Sequence, residues 1–414
     1  MSTCFTTPGL LSLAQAQQRI QHYLTPISDC QTLPLSHALG RVLAEPVKAR
    51  WALPSHANSA MDGYAFASTD GAPGQPVQLR IAGHAWAGRP YQGSLQPGDC
   101  VRIFTGALLP KGLDTVVMQE QVTVSGEIIH IPPHWQAQDH VRQAGEDIVA
   151  GANLLPAGRR LSAADLALLA AAGISTVSVV RALRLALLAT GDELLPVGAT
   201  PQPGQIINSN SLYLQAALQQ PHLEVNDLGI QKDDKQMLRR QVEQAAENCD
   251  VLITSGGASV GEADYLHSVF SALGEIGFWK LALKPGKPML VAQLGHCLGF
   301  GLPGNPVSLA VTLRLLVQPA LAVLSGQAWP EPFYVHAVCD QPYHKKPGRE
   351  EYLRAVLSQP EPGRFQVRLA GAQGSHRLKP LSQANALIHL SRDSTGITPG
   401  ATVAVLIDEL STHS

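Results

Sequence analysis

The stretch Asp250-Val251-Leu252-Ile253-Thr254-Ser255-Gly256-Gly257-Ala258-Ser259-Val260-Gly261-Glu262-Ala263-Asp264-Tyr265 decides the fold. Five residues, four of them strand formers, run into a glycine-rich turn, and an apolar-periodic segment over Tyr265–Ala272 follows. A short apolar run that ends in glycine and opens a helix reads as a buried strand of a βαβ unit. The same grammar extends outward. Leu183–Leu188 is an apolar strand, and Ser209–Gln219 is a helix with Asn208 as N-cap. Val225–Ile230 is a strand and Lys235–Ala246 a helix. Alternation of this kind predicts a doubly wound α/β domain over 183–326, its parallel sheet covered on both faces.

The flanks have a different texture. Leu13, Ala16, Ile20 and Leu24 repeat at helical spacing, and a second short helix is expected around Leu35–Leu43. Short runs at Val77–Ile81, Cys100–Phe104, Thr115–Gln119 and Glu127–Ile131 alternate with Gly/Pro turns and read as a small β-rich domain. Ser162–Ala172 reads as a helix and Thr176–Val180 as a strand. Phe333–Cys339, Tyr352–Leu357, Phe365–Leu369, Ala386–Leu390 and Thr402–Leu406 read as strands of a C-terminal β domain. The expected division is an N-terminal mixed domain (1–50 with 148–182), an inserted β-rich domain (51–147), the α/β domain (183–326) and a C-terminal β-barrel-like domain (327–414).

The 414 residues carry 30 Lys+Arg against 32 Asp+Glu, a net charge of −2. That balance lacks the basic footprint of a nucleic-acid binder. With 45% hydrophobic and only 15% charged residues the chain is not disordered. Its six cysteines fall in no zinc spacing, which suits a reducing cytosol. No signal-peptide pattern is seen at the start. Met289–Leu313 has no charged residue, yet its Gly/Pro content argues for two buried strands, a turn and a buried helix rather than a membrane span. The 15 histidines are scattered and read as surface residues.

In a parallel sheet, ligands bind beyond the carboxyl ends of the strands. Ser255–Gly261 sits there and reads as an anion cradle, because glycine lets backbone N–H groups approach a phosphate at a helix N-terminus. The bland reading is an ordinary βα turn. Glu193, in Thr190-Gly191-Asp192-Glu193-Leu194, and Asp264 fall at the same edge and suggest Mg²⁺, with helix capping as the alternative. The Asp233-Asp234 pair after the Val225 strand has the same position, and one of the two is an N-cap candidate. Lys280, Lys284 and Lys287 stand in an apolar run; in a strand, 280 and 284 share a face, so an anion partner or a guarded strand edge is read. Gly301–Ser308, with Pro303 and Pro306, is a rigid turn that shapes a pocket wall or is merely structural.

In order, S-A-M-D-G-Y-A (59–65), G-E-D (145–147), T-G-D-E-L (190–194), S-G-G-x-S-x-G-E-x-D-Y (255–265), K-P-G-K-P (284–288) and G-L-P-G-N-P-V-S (301–308) resemble the molybdopterin molybdenumtransferase family, which includes bacterial MoeA and the C-terminal domain of gephyrin. The resemblance covers essentially the whole chain. It implies an elongated homodimer of four-domain subunits. It implies that adenylylated molybdopterin and molybdate give molybdenum cofactor and AMP with Mg²⁺. By this resemblance Ser255, Gly256, Gly257, Ser259, Gly261 and Asp264 belong to the nucleotide and phosphate site. Glu193 and Asp234 are its acidic positions near Mg²⁺, and Lys280 and Lys284 lie at the pyrophosphate. Lys284, Lys287, Ser308 and one of Arg349 and Arg354 face molybdate. Asp62, Thr105, Arg142 and Asp147 come from the part of the dimer that overhangs the cleft, and Ser375 from the C-terminal domain. The implied partners are a second copy, the pterin substrate, other cofactor-biosynthesis proteins and molybdoenzymes. Ala258 departs from a usual β-branched residue, and Gln143-Ala144 replaces common basic residues. Two alternatives share parts of the pattern, a molybdopterin adenylyltransferase and a non-catalytic scaffold. Residues 1–182 and 327–414 argue against the first, and the joint presence of Glu193, Asp264 and Lys284 against the second.

Overall fold

The computed structural model describes residues 10–72, 74–257 and 265–407. The chain forms two compact units: Met1–Gln31, Gly40–Ala44 and Val179–Ser414 make one, and Thr32–Leu39 with Glu45–Ser178 the other.

The second unit holds a six-stranded sheet in the order 115–118, 63–66, 99–103, 77–85, 128–131, 123–125. Side-chain alternation sorts Phe66, Leu79, Cys100, Val117 and Ile129 into one apolar cluster and Ala65, Val101, Ile103 and Val116 into another. A helix spans Ala163–Ala171. Ser162 caps it, and Asp165 completes a capping box by reaching back to the Ser162 N–H. The expected helix around Leu35–Leu43 is only a 3₁₀ turn, Leu35–His37. The chain turns out at Gly40, whose φ of +70° no helix accommodates.

The first unit carries the α/β domain. Its elements are β1 (Leu183–Thr190), α1 (Ser209–Ala217), β2 (Leu223–Gln231), α2 (Lys235–Asn248), β3 (Val251–Ser255), α3 (Leu266–Leu273), β4 (Glu275–Trp279), β5 (Leu290–Leu294), β6 (Cys297–Leu302) and the helix α4, Pro306–Leu324, which widens into a π-helical segment at Leu313–Val317. The strand order is β2-β1-β3-β6-β5-β4. The first four strands are parallel, but β6–β5 and β5–β4 are antiparallel. The sheet is therefore mixed, not wholly parallel. Only Gly295 and His296 separate β5 from β6, too few residues for a crossover, so that pair must be a hairpin. Alternate residues face opposite cores. Leu185, Leu187, Ile253 and Phe300 pack with Leu214 of α1 and Val307 of α4. Ala186, Leu188 and Leu252 pack with Val242 of α2 and Phe270 of α3. Helix α4 is long and apolar enough to cross a membrane by length and composition, yet its most apolar window is 78% buried in this core.

Beyond α4, β7 (Tyr334–Cys339), β8 (Glu350–Glu361), β9 (Arg364–Leu369), β10 (Ala386–Leu390) and β11 (Ala401–Ile407) pair in the order β8-β9-β7-β11-β10, and β10 pairs back with β8. Closure makes a five-stranded barrel around Leu353, Val367, Ile388 and Val405. A short helix at Leu378–Gln383, not expected from sequence, lies between β9 and β10. The histidines are not all superficial: His222 is 7% exposed.

Candidate active site

The carboxyl ends of β1, β3 and β6 open into a cleft of about 720 Å³ lined by Gly191, Glu193, Asn210, Asp233, Ser255, Gly256, Gly257, Pro303, Asn305, Pro306 and His376, among others. Two glycines make it possible. Gly256 has φ +90°, and a Cβ there would lie 2.5 Å from the Thr190 carbonyl oxygen, so only glycine lets the ends of β1 and β3 approach this closely. Gly191 has φ +149°, and the Glu193 carboxylate occupies the place its Cβ would take. The Gly256 N–H donates to Leu302 O at 3.2 Å, tying β3 to β6. Asn210, in the first turn of α1, donates to Gly304 O at 2.8 Å and holds the Pro303–Pro306 turn against that helix start. The N-termini of α1 and α4 both meet this edge, an arrangement that favours bound anions.

Glu193 thus lines the cleft. Of the adjacent aspartates, Asp233 lines it and Asp234 does not. The Asp234 carboxylate accepts the Met237 N–H at 2.8 Å and caps α2. Burial pushes the Asp233 carboxyl up, and the charges of Asp192 and Glu193 push it further. A divalent cation bound there would relieve that crowding. Magnesium needs only one or two protein carboxylates, because water and substrate phosphate complete its shell. Among the described residues no group of three His, Cys, Asp or Glu could hold a metal. Ser259, Gly261 and Asp264 lie outside the described residues.

The three lysines do not share a strand. Lys280 takes φ +87°, and only Leu283–Lys284 is extended. The Lys280 ammonium lies 4.1 Å from the Trp279 ring centroid, a cation–π contact. Leu283–Lys284 runs parallel to Glu350–Glu351 of β8 and so joins the α/β domain to the barrel. The Lys284 ammonium donates to both oxygens of Glu351, at 3.1 and 3.3 Å. Glu351 is buried and also accepts the Tyr343 hydroxyl at 2.9 Å. Burial and that bond push the Tyr343 phenol up to about 12. Lys345, 7% exposed, donates to Arg392 O at 3.2 Å. Burial lowers its pKa, and the nearby Lys284 and Arg349 charges work against the compensation from Glu351 and Asp393. Lys287 is exposed. Ser308 is buried in the first turn of α4, and its neighbour Val307 donates its N–H to Ser375 O at 3.1 Å, bringing Ser375 to that helix start.

Of the two arginines read as molybdate ligands, Arg354 is 1% exposed and donates to Ala372 O at 3.0 Å, so the barrel encloses it. Arg349 is only partly buried and lies within electrostatic reach of Lys345. In the second unit, Asp62 accepts the Thr105 N–H at 2.8 Å and its hydroxyl at 2.7 Å. Those two bonds hold the Asp62 carboxyl below the usual carboxylate range. Arg142 pairs with Asn58 in a short ladder, and Asp147 lines a separate hollow of about 540 Å³ with Gly145 and Glu146. Sequence reasoning put Asp233 and Asp234 together and left open which of them caps the helix; it singled out neither Asn210 and His376 in the cleft nor Tyr343, Lys345 and Glu351 at the lysines. Glu351 stands between Arg349 and Arg354, but nothing local distinguishes it from Glu350.

A mixed α/β sheet whose carboxyl edge presents glycine turns, two helix starts and acidic residues belongs to the doubly wound class, in which ligands bind at the strand ends. Residues 11–173 match the MoeA N-terminal region (domain I and II), residues 186–323 a probable molybdopterin binding domain, and residues 336–407 the MoeA C-terminal region (domain IV). The molybdopterin molybdenumtransferase of Haemophilus influenzae is 37% identical over 398 residues, covering 96% of this chain and 98% of that protein. The molybdopterin molybdenumtransferase of a Nostoc species is 38% identical over 390 residues, covering 91% and 88%. A crystal structure of the molybdopterin biosynthesis moeA protein from Pyrococcus horikoshii superposes with a TM-score of 0.85 at 26% identity, covering 96% of this chain and all of that one. The chain belongs to the molybdopterin molybdenumtransferase family.

Proposed function

We propose that this chain inserts molybdate into adenylylated molybdopterin, releasing AMP and giving molybdenum cofactor. One observation carries the reading. A glycine-lined cleft at the strand ends and a cluster of Lys284, Lys345 and Arg349 are built into the same compact unit, so a phosphate ester and an oxyanion each find a complementary site.

The backbone of Ser255–Gly257 and the starts of α1 and α4 receive the substrate's phosphates, with Pro303 and Pro306 as wall and Ser259 and Gly261 extending the cradle. Lys280 screens the pyrophosphate. Lys284, Lys287, Ser308 and Arg349 receive molybdate, which has four acceptor oxygens and no proton and therefore needs donors. Ser375 comes in from the barrel. Glu193 and Asp264 would hold Mg²⁺, which supplies charge neutralisation between the phosphates and the incoming dianion. Asp233 takes the acidic position beside Glu193, while Asp234 serves the helix. We further propose a homodimer in which Asp62, Thr105, Arg142 and Asp147 serve the partner's cleft, four domains with the boundaries given above, and a cytoplasmic location, where free thiols persist.

Reconstitution tests this. Protein, adenylylated molybdopterin, molybdate and Mg²⁺ are combined, and AMP and active cofactor are assayed. AMP release that does not exceed a protein-free control removes the catalytic reading. The shared site is tested by mixing Asp62→Ala with Asp264→Ala chains. Partial recovery in heterodimers is expected, and none means that each site is built from one chain.

A further inference from the structure

The inserted sheet carries rings that its core does not use. Arg102 is registered opposite Tyr64 on one neighbouring strand and opposite His84 on the other, so these side chains share a face. Trp86 and Phe104 continue it two residues on. The rings are stacked nearly parallel. His84 and Trp86 lie 5.3 Å apart at 10°, and Trp86 and Phe104 5.9 Å apart at 8°. The Arg102 guanidinium extends the pile, 4.8 Å from the Phe104 ring and 4.9 Å from the Tyr64 ring. Arg102 is itself fixed by Gly63 O and Gln119. Packing does not explain the outer end: His84 is exposed and Trp86 is 46% exposed.

Next to the pile stands an ordered carboxylate. Thr105 follows Phe104 directly, and both of its donors fall on Asp62 Oδ1. Asp62 Oδ2 has no hydrogen-bond partner among the described residues. Open π-surface at the outer end of the pile, with a free carboxylate oxygen by Thr105 at its inner end, suits a flat heteroaromatic ring with an N–H edge. Stacking fixes the plane, and the carboxylate accepts from amino and ring N–H groups. A pterin has that edge in its 2-amino and N3–H groups. Among the described residues lining the phosphate cleft there is no Phe, Tyr or Trp, and His376 is the single aromatic side chain there.

We propose that His84, Trp86 and Phe104, with Asp62, form the subsite for the pterin ring of the substrate. The inference rests on the molybdenumtransferase reading for the identity of the ring, and on the inserted domain alone for the site.

The test uses the full chain and two fluorescent probes, pterin and lumazine. Lumazine has the same bicycle with a carbonyl in place of the 2-amino group. Quenching of probe fluorescence reports stacking. Wild type is expected to bind pterin more tightly than lumazine. Trp86→Ala is expected to weaken pterin binding about tenfold or more, the scale of losing one base–aromatic stack, while Trp86→Phe stays within about threefold. Asp62→Asn is expected to abolish the preference for pterin, with a smaller loss for lumazine, which keeps its N3–H but lacks the 2-amino group. Thermal melts accompany each variant, and both side chains are exposed enough for the fold to persist. Pterin binding that ignores Trp86→Ala, or that is absent in wild type, overturns the subsite. AMP release by wild type in the same samples shows in that case that the enzymatic reading stands. Trp86- and Asp62-dependent pterin binding without AMP release has the opposite meaning: the subsite stands and the reaction falls.

Discussion

Lys284→Met separates the ion pair that the structure shows at this ammonium from the oxyanion role proposed for it. The Glu351 side chain is 4% exposed, and that of Lys284 is 44% exposed. Without the lysine, the Glu351 carboxylate keeps only the neutral Tyr343 hydroxyl among its side-chain donors. A charge-assisted hydrogen bond contributes about 1.5–3 kcal/mol, and solvent at the half-exposed lysine reduces this to about 1–2 kcal/mol. At about 2–4 °C per kcal/mol, the melting of the first unit should fall by about 2–8 °C. The molybdate concentration for half-maximal AMP release should rise about tenfold, the equivalent of one lost donor to the oxyanion. The double variant Lys284→Met/Glu351→Gln removes the stranded charge, since replacing both members of a buried pair is often close to neutral. Its melting should return toward wild type while its molybdate requirement stays high. Calorimetry and the AMP assay read the two effects on the same samples. A molybdate requirement unchanged by Lys284→Met would refute the oxyanion role. Failure of the double variant to recover melting would refute the argument that the loss comes from the buried carboxylate.

Lys287→Ala should raise the molybdate requirement about tenfold, again one charge-assisted donor, but leave the melting temperature unchanged because Lys287 is exposed; equal loss of stability would make it a structural residue. Gly256→Ala puts a Cβ 2.5 Å from Thr190 O at φ +90°, a strain of about 1–3 kcal/mol; AMP release should fall far more than far-UV circular dichroism changes, and retained turnover would mean that the close approach is dispensable. Asp250 is 6% exposed, and although burial raises its pKa, hydrogen bonds from Arg181 at 2.6 and 2.8 Å and from the Arg184 N–H at 2.8 Å outweigh that and lower it. A carboxyl depressed in the folded state adds stability above its unfolded pKa of about 3.9 and loses it as pH falls through the folded value. Melting of wild type should therefore drop below about pH 4, Asp250→Asn should flatten that drop, and a parallel acid profile in the variant would show that Asp250 contributes nothing to it.

Where local pattern and tertiary demand coincide, the chain is legible. Thr176–Val180 and Ala386–Leu390 are strands with the expected bounds, and β1, β3 and their glycine turns stand where the apolar runs end. The antiparallel edge was not legible, because a buried hairpin strand and a buried parallel strand are both continuous apolar runs. Lys280 was misplaced for a related reason. Alternation assumes an extended backbone, and a residue at φ +87° breaks the phase, so 280 and 284 lose their common face. Asp233 and Asp234 are adjacent in sequence, and the choice between cleft and helix cap depends on which carboxylate meets the Met237 N–H. The partners of Lys284 could not be read locally at all. Glu351 lies 67 residues away and becomes a neighbour only when Leu283–Lys284 joins β8.

That last contact explains why lysines stand in an apolar run without an adjacent acid. Lys284, Lys345 and Arg349 face Glu351 and Asp393, so positive charge exceeds negative around a partly buried corner. Burial, with the nearby Lys284 and Arg349 charges, lowers the Lys345 pKa, which means that the folded chain bears a cost to keep that ammonium charged. Evolution of stability would replace such a group by a hydrocarbon of similar volume. A dianion in the corner reverses the sign of the balance: each cation then gains an opposite charge in a medium where pairing is strong. Glu351 has the complementary part. It compensates part of the positive charge from inside the barrel, and it leaves the Lys284 side chain 44% exposed, where the proposed oxyanion would meet it.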